Sequence, residues 1–307
     1  MSNTSSKTNS LFYKLIAFLS VIRGYNILIL IAAQYLGAIF IFSEKKSLKL
    51  ILLDFHLLYL VIATTCVIAA GYIINNFYDV KSDRINRPIK SELDSFVKQE
   101  TKLTLYFFLN FMGFCFGWFV SWRAALFFSC YIFGIWFYSH KLKKYPIIGL
   151  SSVTILTIFP FFAIFLHFKN FSKVIFIHAG FLFLVIMVRE MIKDLENIKG
   201  AIVNNYNTFA VKYGVKKTKQ VIILLLILTS IPVAILFNYP AITYMKFYFY
   251  FATFVLLFVG FQLNKAVEKN QYRLLHNILK LLLLIGVFSL LFIDKTLILD
   301  KVIHVLN

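Results

Sequence analysis

Residues 72–92, YIINNFYDVKSDRINRPIKSE, close an apolar run that begins near residue 51. Asn75, Asn76, Asp79, Asp83, Arg84, Arg87 and Lys90 crowd into the end of a segment long enough to cross a bilayer. The chain of 307 residues is 60% hydrophobic and only 15% charged, with a mean hydropathy of +0.80. A soluble chain carries about 25% charged residues to cover its surface. Further apolar runs recur along the sequence, so the pattern predicts an all-α polytopic membrane protein rather than one helix anchoring a soluble domain.

Nine spans are expected, near residues 24–43, 51–75, 102–121, 124–139, 147–167, 172–191, 220–237, 245–263 and 275–293. Residues 11–22, LFYKLIAFLSVI, read as an interfacial helix leading into the first span. No linker and no repeat of 20–50 residues breaks the pattern. The expectation is one integral membrane domain over 1–307, with a polar tail over about 1–10. The start of the chain shows no cleavable signal, because Lys14 and Arg23 interrupt its first apolar run. Cys66, Cys115 and Cys130 lie within apolar runs without metal-ligand spacing and read as buried, inert thiols.

The net charge of +19 does not indicate nucleic acid, because the basic residues are dispersed over short loops. The loops 76–101, 140–146, 189–220 and 262–274 together carry 18 Lys and Arg, against 7 in the alternating loops. The positive-inside bias then makes the richer set and the N-terminus (Lys7, Lys14, Arg23) cytoplasmic and the C-terminus external. The expected location is the inner, cytoplasmic membrane of the cell, with membrane lipids as neighbours and no obligate protein partner.

A second polar cluster, VREMIKDLENIKGAIVNNYNTFAVKYG at residues 188–214, follows the sixth span as the first cluster follows the second. On a helix, Asn75, Asp79 and Asp83 form one stripe; Glu190, Lys193, Asp194 and Asn197 form another, with Glu196 off it. Carboxylates aligned at i, i+4 repel one another by roughly 0.2–0.5 kcal/mol. A divalent cation shared between the stripes would compensate, and oxygen-only ligands suit Mg2+, which fills its shell with water and phosphate. Arg84, Arg87, Arg189, Lys193 and the Lys141, Lys143, Lys144 group can hold phosphate oxygens. The chemistry of the residues is thus Mg2+ plus diphosphate at a membrane surface. Asp79, Asp83 and Asp194 are expected to converge on a central cavity opening at the cytoplasmic face. Asp54, His56 and His178 read as interfacial or core polar groups, and His140 as a solvated loop histidine.

NNFYDVKSDRINRP resembles the NDxxDxxxD motif of the UbiA superfamily of intramembrane prenyltransferases, with Asn75, Asp79 and Asp83 in place and Asn76 where an aspartate is usual. REMIKDLENIKGA resembles the second acidic motif of its digeranylgeranylglyceryl phosphate synthase-like branch, through Arg189, Glu190, Lys193, Asp194, Glu196 and Gly200. Asn197 and Ala201 replace aspartates there, and Thr208 matches the threonine that follows. IRGYN (Arg23, Asn26) and YSHKLKKYPIIG (Tyr138, Ser139, Lys143, Pro146, Gly149) are weaker matches. The resemblance implies transfer of a polyprenyl group, geranylgeranyl by the branch, from its diphosphate to an acceptor after Mg2+-assisted ionisation. It implies Asp79, Asp83 and Asp194 as catalytic carboxylates. A first metal would sit on Asp79 and Asp83 with Asn75, and a second on Asp194 and Glu190 with Asn197. Arg84, Arg87, Lys143, Lys193, Arg23, Asn26 and Tyr138 would contact substrate. The acceptor favoured by the branch and by the cationic loops is a prenylglycerol phosphate lipid; an aromatic quinone precursor is the alternative, and a non-catalytic lipid-binding or transport protein a minor one.

Overall fold

The computed structural model describes residues 15–43, 47–239, 242 and 244–293. All regular structure among them is helical. A short helix α1 (15–21) leads into α2 (Gly24–Gly37), which continues as a π-turn through Phe42. Then come α3 (Leu48–Leu52), α4 (Phe55–Tyr78), α5 (Val80–Asn86), α6 (Pro88–Ser95), α7 (Gln99–Val120), α8 (Trp122–His140) and α9 (Pro146–Phe168). The chain continues with α10 (Lys173–Glu196), α11 (Ile198–Val203), α12 (Phe209–Leu228), α13 (Ser230–Phe237), α14 (Lys246–Lys265) and α15 (Lys269–Ser289). The polar tail 1–10, the beginning of the expected 11–22 helix, Lys7, Lys14 and the C-terminal residues 294–307 lie outside the described residues.

Among the described residues, eight helical segments are long and apolar enough to cross a membrane. The protein is therefore an integral membrane protein. The fourth expected span, 124–139, falls on α8, which is not among the eight; its Arg123, Ser129, Ser139 and His140 dilute its apolar character. Boundaries moved where caps and breakers intervene. Asp54 accepts a hydrogen bond from the Leu57 amide at 3.1 Å, starting α4 afresh and separating α3 from the expected 51–75 run. The seventh span starts earlier than residue 220, at Phe209, across a non-helical Gly214 with φ 80°. None of the three cysteines is buried: Cys66 and Cys115 are half-buried and Cys130 exposed, because a membrane protein turns apolar side chains outward to lipid as well as inward. Three histidines of these helices find partners. His167 pairs with Asp54 at 3.2 Å, His178 Nδ1 donates to the Val174 carbonyl at 2.8 Å, and His140 stacks on Trp136 beside the Tyr78 hydroxyl.

Pro160 inside α9 cannot donate to the Leu156 carbonyl. The Tyr131 hydroxyl from α8 donates to it instead at 3.0 Å, and Gln34 Nε2 from α2 donates to the Pro160 carbonyl at 3.1 Å. The proline thus ties three helices together deep in the bundle, as re-satisfied backbone in an apolar medium requires.

The four basic loops meet at one end of the bundle. The Asn207 amide donates to the Lys144 carbonyl at 3.1 Å and Asn86 Nδ2 to the Asn197 carbonyl at 3.3 Å. Lys269 Nζ donates to the Asn86 carbonyl at 2.8 Å and Lys219 Nζ to the Ala266 carbonyl at 2.6 Å. Both acidic motifs sit at this end.

Candidate active site

One cavity of about 500 Å³ opens at the motif end. Its inner half is apolar, lined by Ile29, Leu30, Ala33, Ile68, Leu156 and Pro160 among others. Its outer half is polar. It brings together Asn75, Asp79, Asp83, Glu190, Asp194 and Asn197, with Arg23, Asn26, Arg87, Tyr138, Lys143, Arg189 and Lys193. Residues more than a hundred positions apart in sequence share one wall because α11 packs on α5. That packing needs a glycine: a Cβ at Gly200 would lie 2.1 Å from Asn86 Nδ2 and 2.5 Å from Ser82 Oγ. A second close approach fixes Lys143, since a Cβ at Gly149 would meet the Leu142 carbonyl at 2.8 Å.

The stripe Asn75, Asp79, Asp83 is not one continuous helix. Asp79 leaves helical geometry at φ −96°, ψ 7°, ending α4 and starting α5. The backbone bonds Asp79 N to Asn75 O and Asp83 N to Asp79 O persist at 2.9 and 2.8 Å, so all three side chains still reach the cavity. Tyr72 and Tyr138 also line it, whereas Phe77 points away, 37% exposed.

The carboxylates differ in their surroundings. Asp79 Oδ1 accepts from Lys143 Nζ at 2.8 Å and from the Tyr206 hydroxyl at 3.0 Å. The Lys143 ammonium lies over the Tyr78 and Tyr206 rings, 5.5 and 5.0 Å from their centroids. Burial lowers the Lys143 pKa against the pull of Asp79, and burial next to the Asp79 carboxylate raises that of the Tyr206 phenol. Glu190 is held at both oxygens, by Arg189 at 2.7 Å and Lys193 at 2.6 Å. Asp83 and Asp194, by contrast, make no side-chain hydrogen bond or ion pair with any described residue. Burial and then repulsion from Asp79 push the Asp83 carboxyl up. Asn197 Oδ1 and Asn86 Oδ1 are buried without a partner.

This donor set fits Mg2+. Among the described residues no three His, Cys, Asp or Glu side chains are gathered tightly enough to enclose a metal alone. Mg2+ needs only one or two carboxylates, completed by water and phosphate oxygens. Two unpartnered carboxylates, the open Oδ2 of Asp79 and the orphaned Asn197 oxygen supply hard donors. Glu190 does not join them in the arrangement seen, because both its oxygens are already engaged.

Arg84, like Lys141 and Lys144, is an expected phosphate contact that does not line the cavity. It lies one residue beyond Asp83, about 100° round the helix, and faces a separate depression with Pro88, Ser91, Glu92 and Ser95. Sequence reasoning missed Tyr206 on Asp79 and Lys90 on the cavity wall. It also missed Ser139 as a partner of Asn75, donating to Asn75 Oδ1 at 2.9 Å. Tyr206 and Lys90 stand within the quoted polar stretches and Ser139 within the YSHKLKK segment, but nothing in the spacing marks them.

Asn76, which stands where an aspartate is usual in the family motif, has its side chain engaged elsewhere. Its Nδ2 donates to Asp94 Oδ2 at 2.8 Å, and its Oδ1 accepts from Lys102 Nζ at 2.9 Å. Lys90 pairs with the same carboxylate and Ser20 Oγ donates to it at 2.7 Å. The amide is thus spent on a buried network joining α1, α4, α6 and α7. An aspartate at 76 would set two carboxylates face to face around Asp94.

The profile of the UbiA prenyltransferase family matches residues 30–284. The chain belongs to the UbiA prenyltransferase family. Within the family it is similar to the digeranylgeranylglyceryl phosphate synthase of Saccharolobus solfataricus, 26% identical over 265 residues, 83% of this chain and 87% of that protein. The enzyme of the same name from Thermococcus kodakarensis is 30% identical over 218 residues, 70% of this chain and 75% of its own. A solved digeranylgeranylglyceryl phosphate synthase structure superposes with a TM-score of 0.67 at 22% identity, over 90% of this chain and 97% of that one. A UbiA homolog from Archaeoglobus fulgidus, solved with GPP and Mg2+, gives 0.66 at 12% identity, over 89% and 99%. These superpositions show that the bundle has the UbiA fold. As a UbiA family member, the protein is a prenyltransferase.

Proposed function

We propose that the protein transfers a polyprenyl group, geranylgeranyl by its relatives' names, from the diphosphate to a prenylglycerol phosphate. The observation that carries this reading is the two-part cavity: an apolar inner half suited to a prenyl chain beneath an outer half where both acidic motifs meet cations. Relatives named for this reaction support the choice of acceptor. Mg2+, when bound, supplies charge neutralisation on the diphosphate. Asp79, Asp83 and Asp194 would hold it, with the Asn75 and Asn197 side-chain oxygens.

The chain's own residues do the rest. Lys143, Lys193 and Arg87 take phosphate oxygens and stabilise charge gathering on the leaving group. The allylic C–O bond breaks with its electron pair passing to the diphosphate. The faces of Tyr72, Tyr131 and Tyr138 along the cavity offer negative π-density to the allylic cation. The acceptor hydroxyl oxygen then bonds to that carbon, and its proton passes to the released diphosphate, a stronger base than the carboxylates. The apolar walls keep water from competing.

The motif end is assigned to the cytoplasm because its loops carry 18 Lys and Arg against 7 on the other side. Cysteines introduced at Lys81 and Lys199 should resist membrane-impermeant maleimide applied from outside; modification of either reverses the assignment. For the reaction, purified protein is incubated with labelled geranylgeranyl diphosphate and a panel of a prenylglycerol phosphate, hydroxybenzoate and dihydroxynaphthoate. Product is expected with the first alone. Product with an aromatic acid alone would overturn the choice of acceptor.

Asn197 and Asn76 give a contrasting pair. Asn197→Asp adds a charged donor where a buried oxygen lacks a partner, and should lower the Mg2+ concentration for half-maximal turnover by about tenfold. Asn76→Asp should leave that midpoint unchanged and destabilise the fold by about 1–3 kcal/mol through repulsion at Asp94 and loss of a buried donor. A Mg2+ titration and a thermal melt of both variants separate the two effects. Equal Mg2+ midpoints in the two would refute the distinction.

A further inference from the structure

The cations around the cavity and the neighbouring seam of α2 and α15 differ in whether a carboxylate holds them. Lys143 is paired with Asp79, Arg189 and Lys193 with Glu190, and Lys90 with Asp94. Arg23, Arg87 and Lys280 pair with no carboxylate among the described residues. Of these, Arg23 caps α2 and Lys280 stands on α15, and those two helices touch each other. Lys280 Nζ donates to the Tyr25 hydroxyl at 2.9 Å and sits 4.1 Å from the centre of its ring. The Arg23 guanidinium lies over Tyr72, 4.9 Å from the centroid, and lines the cavity with Arg87. Arg23 is the N-cap of α2, two residues before Tyr25.

Lys280 is an unusual residue for its place. It stands eleven residues into α15, roughly 16 Å along the helix from Lys269. An ionisable side chain within a segment long and apolar enough to span a membrane is costly and is a functional candidate by default. Its Cα–Cβ bond tilts toward the helix N-terminus, which is the motif end, and the side chain runs that way to Tyr25. Arg23 holds a left-handed backbone, φ 53°, a conformation that costs energy in a non-glycine residue and concentrates at functional sites. Tyr25 is 59% exposed and Leu28, one turn further along α2, 69%, so the outer side of the seam is open and apolar beside its charges.

We propose that Arg23 and Lys280, with the Tyr25 hydroxyl, form an anion site at the α2–α15 seam that takes the phosphomonoester of a lipid acceptor, its alkyl chain lying on the apolar outer face. The site deepens the acceptor reading above and rests on it for its role in turnover. A dianionic phosphate requires about two cations free of carboxylates, and guanidinium and ammonium donors bind its oxygens by charge-assisted hydrogen bonds. Lys143 and Lys193 serve the donor. The two substrates thus meet with separate charge compensation, and an acceptor lacking the phosphate forgoes the seam.

The test uses the full chain in phosphatidylcholine nanodiscs, as wild type, Lys280→Met and Arg23→Gln. Equilibrium binding is measured for an alkylglycerol phosphate, the matching alkylglycerol, glycerol phosphate and phosphatidylglycerol, and for geranylgeranyl diphosphate. Wild type should prefer the alkylglycerol phosphate to the other three glycerol probes. Both substitutions should weaken its binding about tenfold or more, leaving alkylglycerol unaffected. Lys280→Met should leave geranylgeranyl diphosphate binding unchanged. Equal loss for the diphosphate in Lys280→Met overturns the site, as does equal binding of phosphatidylglycerol, or alkylglycerol phosphate binding indifferent to the substitutions. Monoester binding that depends on Lys280 in a protein giving no product with that acceptor would sustain the site and refute the acceptor assignment instead.

Discussion

Asp194→Asn is expected to lower turnover by about 10³-fold, roughly 4 kcal/mol of transition-state stabilisation, with a melting temperature close to wild type. Asp194 lines the cavity and bonds to no described side chain, so its replacement leaves no buried partner stranded. Asp79→Asn should cost as much activity but also stability, by about 3 kcal/mol. Lys143 is 8% exposed and would lose its carboxylate partner. The difference follows from geometry, since the two residues resemble each other in sequence. The measurement is single-turnover transfer at saturating Mg2+ together with thermal unfolding in detergent. Retention of more than about a tenth of wild-type turnover by Asp194→Asn would remove that carboxylate from the chemistry.

Gly200→Ala should reduce turnover by about 10²-fold without touching a residue that contacts substrate. The added methyl would overlap Asn86 and Ser82. Asn86 cannot simply swing aside, because it bonds to the Asn197 carbonyl and its own carbonyl holds Lys269. α11 and α5 must therefore separate, carrying the two acidic motifs apart. A displacement on the order of 1 Å costs about 10²-fold, and the overpacking itself about 1–3 kcal/mol. Asn86→Ala added to Gly200→Ala makes room for the methyl and should recover part of the loss. A double variant no better than the single would place the damage elsewhere.

The span count expected from sequence followed from hydropathy, and the residue types of the motifs from their spacing alone. Apolar runs must become helices in lipid because no other backbone satisfies its own hydrogen bonds there. Aspartates at i, i+4 share a helix face, and the backbone bonds through Asp79 preserve that spacing despite the break there. For that reason Asp79, Asp83, Glu190, Asp194 and Asn197 could all be named as cavity groups beforehand. Arg84 could not be excluded in the same way. An arginine one position past the motif looks equivalent until the break at Asp79 sets the rotation of α5 and turns it from the cavity.

The roles within the cavity are decided by pairing across the fold. Whether a carboxylate is open, as in Asp83 and Asp194, or already engaged, as in Glu190 by Arg189 and Lys193, depends on which cation lies within about 3 Å. The same holds for Asn76, which matches a motif position by sequence yet spends its amide on Asp94 and Lys102. Composition and period determined that this chain is a helical membrane bundle whose basic loops carry both acidic motifs, since burial in lipid acts on each segment separately. Only the tertiary structure decided which charges remain free for substrate, because a charge is neutralised by its neighbours in space.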